Sequence, residues 1–126
     1  MKTRHGKESE LVTSWDDGCH LDLKLAKLLK SYNIPAIFYI PTNNTELKPH
    51  EIKELSKDFT IGGHTINHKV LRPCHPDEIY CELKDSKDYM ENLIGKEVSS
   101  LCYPKGRYDE KVISIAKDIG YKEART

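Results

Sequence analysis

Three short stretches of this chain gather the side chains that bind ions and move protons: Asp16-Asp17-Gly18, Gly63-His64-Thr65-Ile66-Asn67-His68, and Tyr103-Pro104-Lys105-Gly106. Two histidines four residues apart, on a helical turn or in a tight loop, can turn two neutral imidazoles toward one ion. A carboxylate from another loop completes a His-His-Asp set and leaves positions open for water and substrate. That is the pattern of a catalytic metal, and a borderline ion such as Zn²⁺ suits the mixed nitrogen and oxygen donors best. Adjacent aspartates crowd two negative charges, which a cation relieves. If one of them binds the ion, the other stays free as a base for the ion's water. Each stretch also has a plainer reading. His-x-x-x-His can be two exposed polar residues on a turn, and Asp-Gly is a common turn dipeptide. Gly62-Gly63, just ahead of the histidines, favours the site, because two glycines let backbone approach closely at a strand end.

The elements that must position these stretches alternate in type. Runs rich in β-branched and aromatic residues predict strands at Leu11 to Trp15, Ala36 to Ile40, Phe59 to Ile61, Val98 to Tyr103 and Tyr121 to Ala124. Between them the spacing predicts helices. Leu21, Leu25, Leu28, Leu29 and Tyr32 form one apolar face. Ile79, Leu83, Met90, Leu93 and Ile94 form another, opened by Pro76 and stopped by Gly95. Val112, Ile113, Ala116 and Ile119 form a third, with Asp109 as N-cap and Gly120 past the end. Pro49 to Lys57 is a weaker helix. Strand and helix in alternation argue for an α/β fold of parallel strands joined by right-handed crossovers. All three chemical stretches then fall at carboxyl ends of parallel strands, which share one edge of the sheet.

Composition narrows the class. The chain has 126 residues, the size of one domain (residues 1–126). Twenty basic residues balance twenty acidic ones, mixed along the chain, so nothing marks a nucleic-acid binder. No apolar run is long enough for a membrane span, and the polar start predicts a cytoplasmic protein. None of Cys19, Cys74, Cys81 and Cys102 forms a C-x-x-C pair, which favours reduced, partly packed thiols. Trp15 reads as a core aromatic, the lysines and glutamates of the helices as a solvated face, and Asn43-Asn44-Thr45 as a simple polar loop.

The strings Thr13-Ser14-Trp15-Asp16-Asp17-Gly18, His64-Thr65-Ile66-Asn67-His68 and Leu101 to Asp109 resemble, in order and spacing, the first three motifs of the polysaccharide deacetylases, the NodB-homology or family 4 carbohydrate esterases. The resemblance runs over nearly the whole chain. It implies a distorted TIM-like (β/α) barrel, here incomplete with about five parallel strands, and metal-dependent hydrolysis of an N- or O-acetyl group on a sugar or similar small amide. By position it makes Asp16 the catalytic base and Asp17, His64 and His68 the ligands of a divalent metal, expected to be Zn²⁺. Tyr103, Pro104 and Lys105 would line the substrate, with the Lys105 N–H on the developing oxyanion, and Thr65 would brace the histidine loop. Three departures stand out. Cys102 occupies the place of an arginine that orients the base, and Lys105 the place of a common aromatic. The chain also ends at Thr126, before the family's later motifs with their aspartate, tryptophan and general-acid histidine. None of His5, His20, His50 and His75 has a context that replaces that acid. Five strands leave a barrel open, so a fragment, a homo-oligomer or a domain completed by another chain is expected. The alternative function is a domain that binds metal without turnover and acts as a binding module. A third reading is a plain α/β domain without metal.

Overall fold

The computed structural model describes residues 9–126; the polar start and His5 lie outside the described residues. The chain runs β1 (Thr13–Asp16), α1 (Asp22–Ser31), β2 (Ala36–Ile40), α2 (Pro49–Asp58), β3 (Thr60–Gly63), α3 (Pro76–Ile94), β4 (Ser100–Cys102), α4 (Glu110–Ile119) and β5 (Glu123–Arg125), with a 3-10 turn at Pro104–Gly106. The five strands form one parallel sheet in sequence order. Each β-α-β step crosses from one strand to its immediate neighbour, so the sheet curls in one direction as an incomplete barrel. Its two edge strands come near enough for side chains to meet: Arg125 on β5 donates to Ser14 Oγ on β1.

β2 matches its apolar run and β3 reaches on to Gly63, whereas β1, β4 and β5 are shorter than expected and β1 is shifted toward the aspartates. Leu11 and Val12 precede it and are exposed. An edge strand has a neighbour on one side only, so apolar residues at its start gain little by pairing. Trp15 is 38% exposed, with Nε1 donating to Thr13 Oγ1, which corrects its reading as a core aromatic. Phe38, Ile40, Ile61 and Leu101 pack under the helices with Ile79, Leu83, Met90 and Val112. Phe38 meets Phe59 edge-to-face, with centroids 5.4 Å apart.

Helix ends follow their local chemistry. Pro49 opens α2 after Lys48, whose N–H is taken by Glu51. His75 Nδ1 accepts the Asp77 N–H at the start of α3, and Asp109 accepts the Val112 N–H at the start of α4. The buried stripe of α1 differs from the leucine face expected: Ala26 and Leu29 are buried while Leu21, Leu28 and Tyr32 are exposed. Leucines ring more than half of this helix, so periodicity alone does not choose the face. Glu82 and Lys87 of α3 are buried, against the expectation of a solvated charged face. Among the described residues no helix is long and apolar enough to cross a membrane.

Candidate metal centre

Asp16 ends β1, and the chain turns at Asp17 (φ 79°) and Gly18 (φ 66°). The Asp17 N–H still reaches Tyr39 O at 3.0 Å, which extends the β1–β2 ladder and anchors the turn. Gly18 cannot carry a Cβ there, because Thr45 fills the space, its Oγ1 bonded to Gly18 O. At β3, Gly63 stands under Tyr121, where a Cβ would lie 2.5 Å from the phenol oxygen. These close approaches set the histidine loop directly after the strand end, as the glycine pair suggested.

The three ligand candidates converge. Asp17 Oδ1 stands 3.0 Å from His64 Nε2 and 3.0 Å from His68 Nε2, and the two rings meet edge-to-face with centroids 4.7 Å apart. His64 is 2% exposed, and its Nδ1 lies 2.8 Å from Cys102 O. A carbonyl oxygen only accepts, so Nδ1 carries a proton, and without a second one the ring turns a lone pair at Nε2 toward the Asp17 carboxylate. Two acceptors face each other at hydrogen-bond distance. Only a cation between them, a proton or a metal ion, makes the arrangement favourable. Two imidazole nitrogens and a carboxylate oxygen within reach of one point, with His64 oriented by a backbone carbonyl behind it, fit a divalent metal ion.

The loop that carries both histidines is strained and braced. Asp17, Thr65, His68 and Lys105 account for four of the five non-glycine residues with positive φ among the described residues. Such backbone costs about 1–3 kcal/mol per residue and persists only where surroundings enforce it. The enforcing contacts are visible. Buried Glu82 accepts from Ile66 N at 3.0 Å, Asn67 N at 3.1 Å and Asn67 Nδ2 at 2.9 Å. From the other side Asn43 Nδ2 donates to Asn67 Oδ1 and Asn44 Nδ2 to Asn67 O, so that segment is more than a simple polar loop. Thr65 Oγ1 accepts the Lys69 N–H at 3.0 Å, the bracing expected of it. Glu82 went unnoticed in the sequence, where it is one of many helical glutamates. Glu82→Ala should leave two loop N–H groups unpaired and weaken divalent-ion binding at Asp17, His64 and His68 by about 10–100-fold, read by metal titration. Unchanged affinity would show that the loop keeps its shape without Glu82.

Asp16 has two partners. Arg125 Nη1 stands 3.6 Å from its Oδ1, and Cys102 Sγ lies 3.8 Å from its Oδ2. Burial, and then the neighbouring Asp16 charge, push the Cys102 thiol up to about 12, so it stays protonated and faces the carboxylate as a donor. A guanidinium thus stands beside Asp16 although position 102 carries a cysteine. Cys102 and Arg125 are register partners across β4 and β5, so the guanidinium reaches the same carboxylate from the adjacent strand. That pairing was the available signal, but the last strand was expected to end one residue short of it. Asp22, the first residue of α1, is buried with Oδ2 unpartnered among the described residues. Burial and the charges of Asp17, Asp16 and Glu46 raise it to about 6, a measure of the negative potential gathered at this strand end.

The third stretch lies at the end of β4. Tyr103 N–H donates to Arg125 O, Gly106 N–H closes the turn on Tyr103 O at 2.8 Å, and Lys105 sits at φ 57°. Tyr103 and Pro104 are buried, and the Tyr103 ring stacks on Tyr108 with centroids 5.2 Å apart. Asp109 is used as a helix cap. Every candidate from the three stretches therefore sits on the carboxyl-end rim of the sheet.

The model of the family described as polysaccharide deacetylase matches residues 3–124. YxkH of Bacillus subtilis (strain 168) is 29% identical over 130 residues, covering 97% of this chain and 47% of YxkH. The peptidoglycan-N-acetylglucosamine deacetylase of Bacillus cereus is 25% identical over 117 residues, covering 90% of this chain and 42% of that protein. Among solved structures, the Streptococcus pyogenes deacetylase PplD in complex with acetate superposes with a TM-score of 0.82 at 28% identity, over 86% of this chain and 52% of PplD. The chain thus spans about half the length of the curated relatives it matches. With a family match over nearly its whole length and the same curled sheet, the chain belongs to the polysaccharide deacetylase family.

Proposed function

We propose that this chain carries the metal-binding and proton-accepting side of a zinc-dependent deacetylase that removes acetyl from an acetamido sugar. The observation that carries this reading is Asp17 Oδ1 set 3.0 Å from both Nε2 atoms, with His64 locked in the tautomer that presents a lone pair. The family is one of metal-dependent deacetylases. Asp17, His64 and His68 would hold the ion, which supplies Lewis acidity to the scissile carbonyl and a lowered pKa to water. Asp16 takes the proton from the water that adds to the acetyl carbonyl carbon. Arg125 and the Cys102 thiol hold the Asp16 carboxylate in place for that transfer. The Lys105 N–H donates to the carbonyl oxygen as it gains negative charge, and the C–N bond then breaks as the proton held on Asp16 passes to the departing nitrogen, giving acetate and the sugar amine. Tyr108, half exposed and stacked on Tyr103, offers a flat apolar face beside that turn for a pyranose ring.

Acetate release from N-acetylglucosamine oligomers, before and after removal of metal by a chelator and again after adding Zn²⁺, tests this reading. Loss on chelation with recovery on Zn²⁺ is expected. Equal release by the chelated protein would reject it, and Zn²⁺ binding measured in parallel tests the ligand set separately.

A further inference from the structure

Beside the Asp17 centre a second group of metal-ligating side chains converges, and it takes no part in the proposed reaction. Cys19 Sγ lies 4.0 Å from His20 Nδ1, and His20 Nδ1 lies 2.6 Å from Glu46 Oε2. One donor atom from each of the three falls within 4.8 Å of the others. Among the described residues only this group and the Asp17 centre bring three such donors together. We propose that Cys19, His20 and Glu46 form a second binding site for one borderline-soft divalent transition-metal ion of the Zn²⁺ class.

The set is chemically mixed in a way that selects such ions. A thiolate and an imidazole favour zinc-type ions over Mg²⁺ or Ca²⁺, and the carboxylate completes three protein ligands with further positions left to water. The scaffold holds the three residues together across 27 positions of sequence. Glu46 N donates to Gly18 O at 2.9 Å, Thr45 Oγ1 donates to the same carbonyl, and His20 N donates to Glu46 Oε2 at 2.8 Å. The loop bearing Glu46 is thereby fastened to the turn bearing Cys19 and His20 at three points. All three side chains retain solvent exposure, so an ion has a path in. Asp17 lies in the same turn and Asp16 and Asp22 flank it, and their negative potential attracts a cation. Binding would proceed with loss of the Cys19 thiol proton and transfer of the His20 proton to Nε2, which frees Nδ1 for the ion. The 2.6 Å separation of His20 Nδ1 and Glu46 Oε2, now a hydrogen bond, would open as the ion takes the proton's place.

Cobalt distinguishes this site from the other. A Co²⁺ ion bound to thiolate gives a ligand-to-metal charge-transfer absorption that a His-His-Asp centre lacks. The intact protein is expected to bind two equivalents of Co²⁺ or Zn²⁺ and to show that absorption. Cys19→Ser should lose the absorption and one equivalent, and Glu46→Gln should lose one equivalent. Asp17→Asn should keep the absorption, so failure of the Asp17 centre and failure of this site are read apart. Circular dichroism confirms that each variant is folded, and Cys19, Glu46 and Asp17 all lie outside the buried core. A single equivalent in the intact protein, no thiolate absorption, or an absorption that persists in Cys19→Ser would overturn the proposal.

Discussion

Asp16→Asn is expected to lower acetate release by about 10²–10⁴-fold while the metal content of the protein stays the same. The side chains are nearly isosteric, so the Cys102 contact and the strand end survive the change. What disappears is the ability to accept a proton and the charge that draws Arg125 to within 3.6 Å. The Asp17 carboxylate next in sequence points to the two histidines, and its bonds do not involve Asp16. Metal content and turnover therefore separate in this variant. Loss of metal would make Asp16 a ligand, and near-normal acetate release would remove it as the base. Either result would overturn the role that the resemblance gave to Asp16.

Much of this site was legible because its residue types are rare in combination and fall at predicted strand ends. The rule that parallel strands end on one rim brought the aspartate pair to His64 and His68, and the family resemblance chose Asp17 over Asp16 as the ligand. What stayed hidden depended on tertiary placement. Arg125 is an ordinary residue near a chain end until strand pairing sets it beside Cys102. Glu82 looks like any helical glutamate, yet it is buried because α3 packs on the histidine loop and the loop's strained backbone needs acceptors. Asn43 and Asn44 have turn-forming chemistry in any fold, and only the packing of their loop against Asn67 gives them a task. The α1 leucines and Trp15 show the opposite failure. Apolar residues abound there, and the edge of an incomplete barrel leaves some of them without a surface to cover.

The two ligand histidines should answer mutation differently, because one is part of the core and the other is not. His64→Ala is expected to lose the ion at Asp17 and also to destabilise the chelated protein by about 2–4 kcal/mol. It would empty a buried volume under the sheet and leave the Cys102 carbonyl without its imidazole donor. His68→Gly is expected to lose the same ion with a stability change within about 1 kcal/mol. Its side chain is partly exposed, and its φ of 54° is one that glycine adopts without strain. Metal must be removed by chelation before unfolding is measured, since an ion that binds only the native state adds its own stabilisation. Urea unfolding of both variants in chelator, with metal titration beside it, reads the two effects apart. Equal destabilisation by both changes would mean that His68 is held as firmly as His64. Retention of the ion by either variant would remove that residue from the ligand set and leave Asp17 to bind with a different partner.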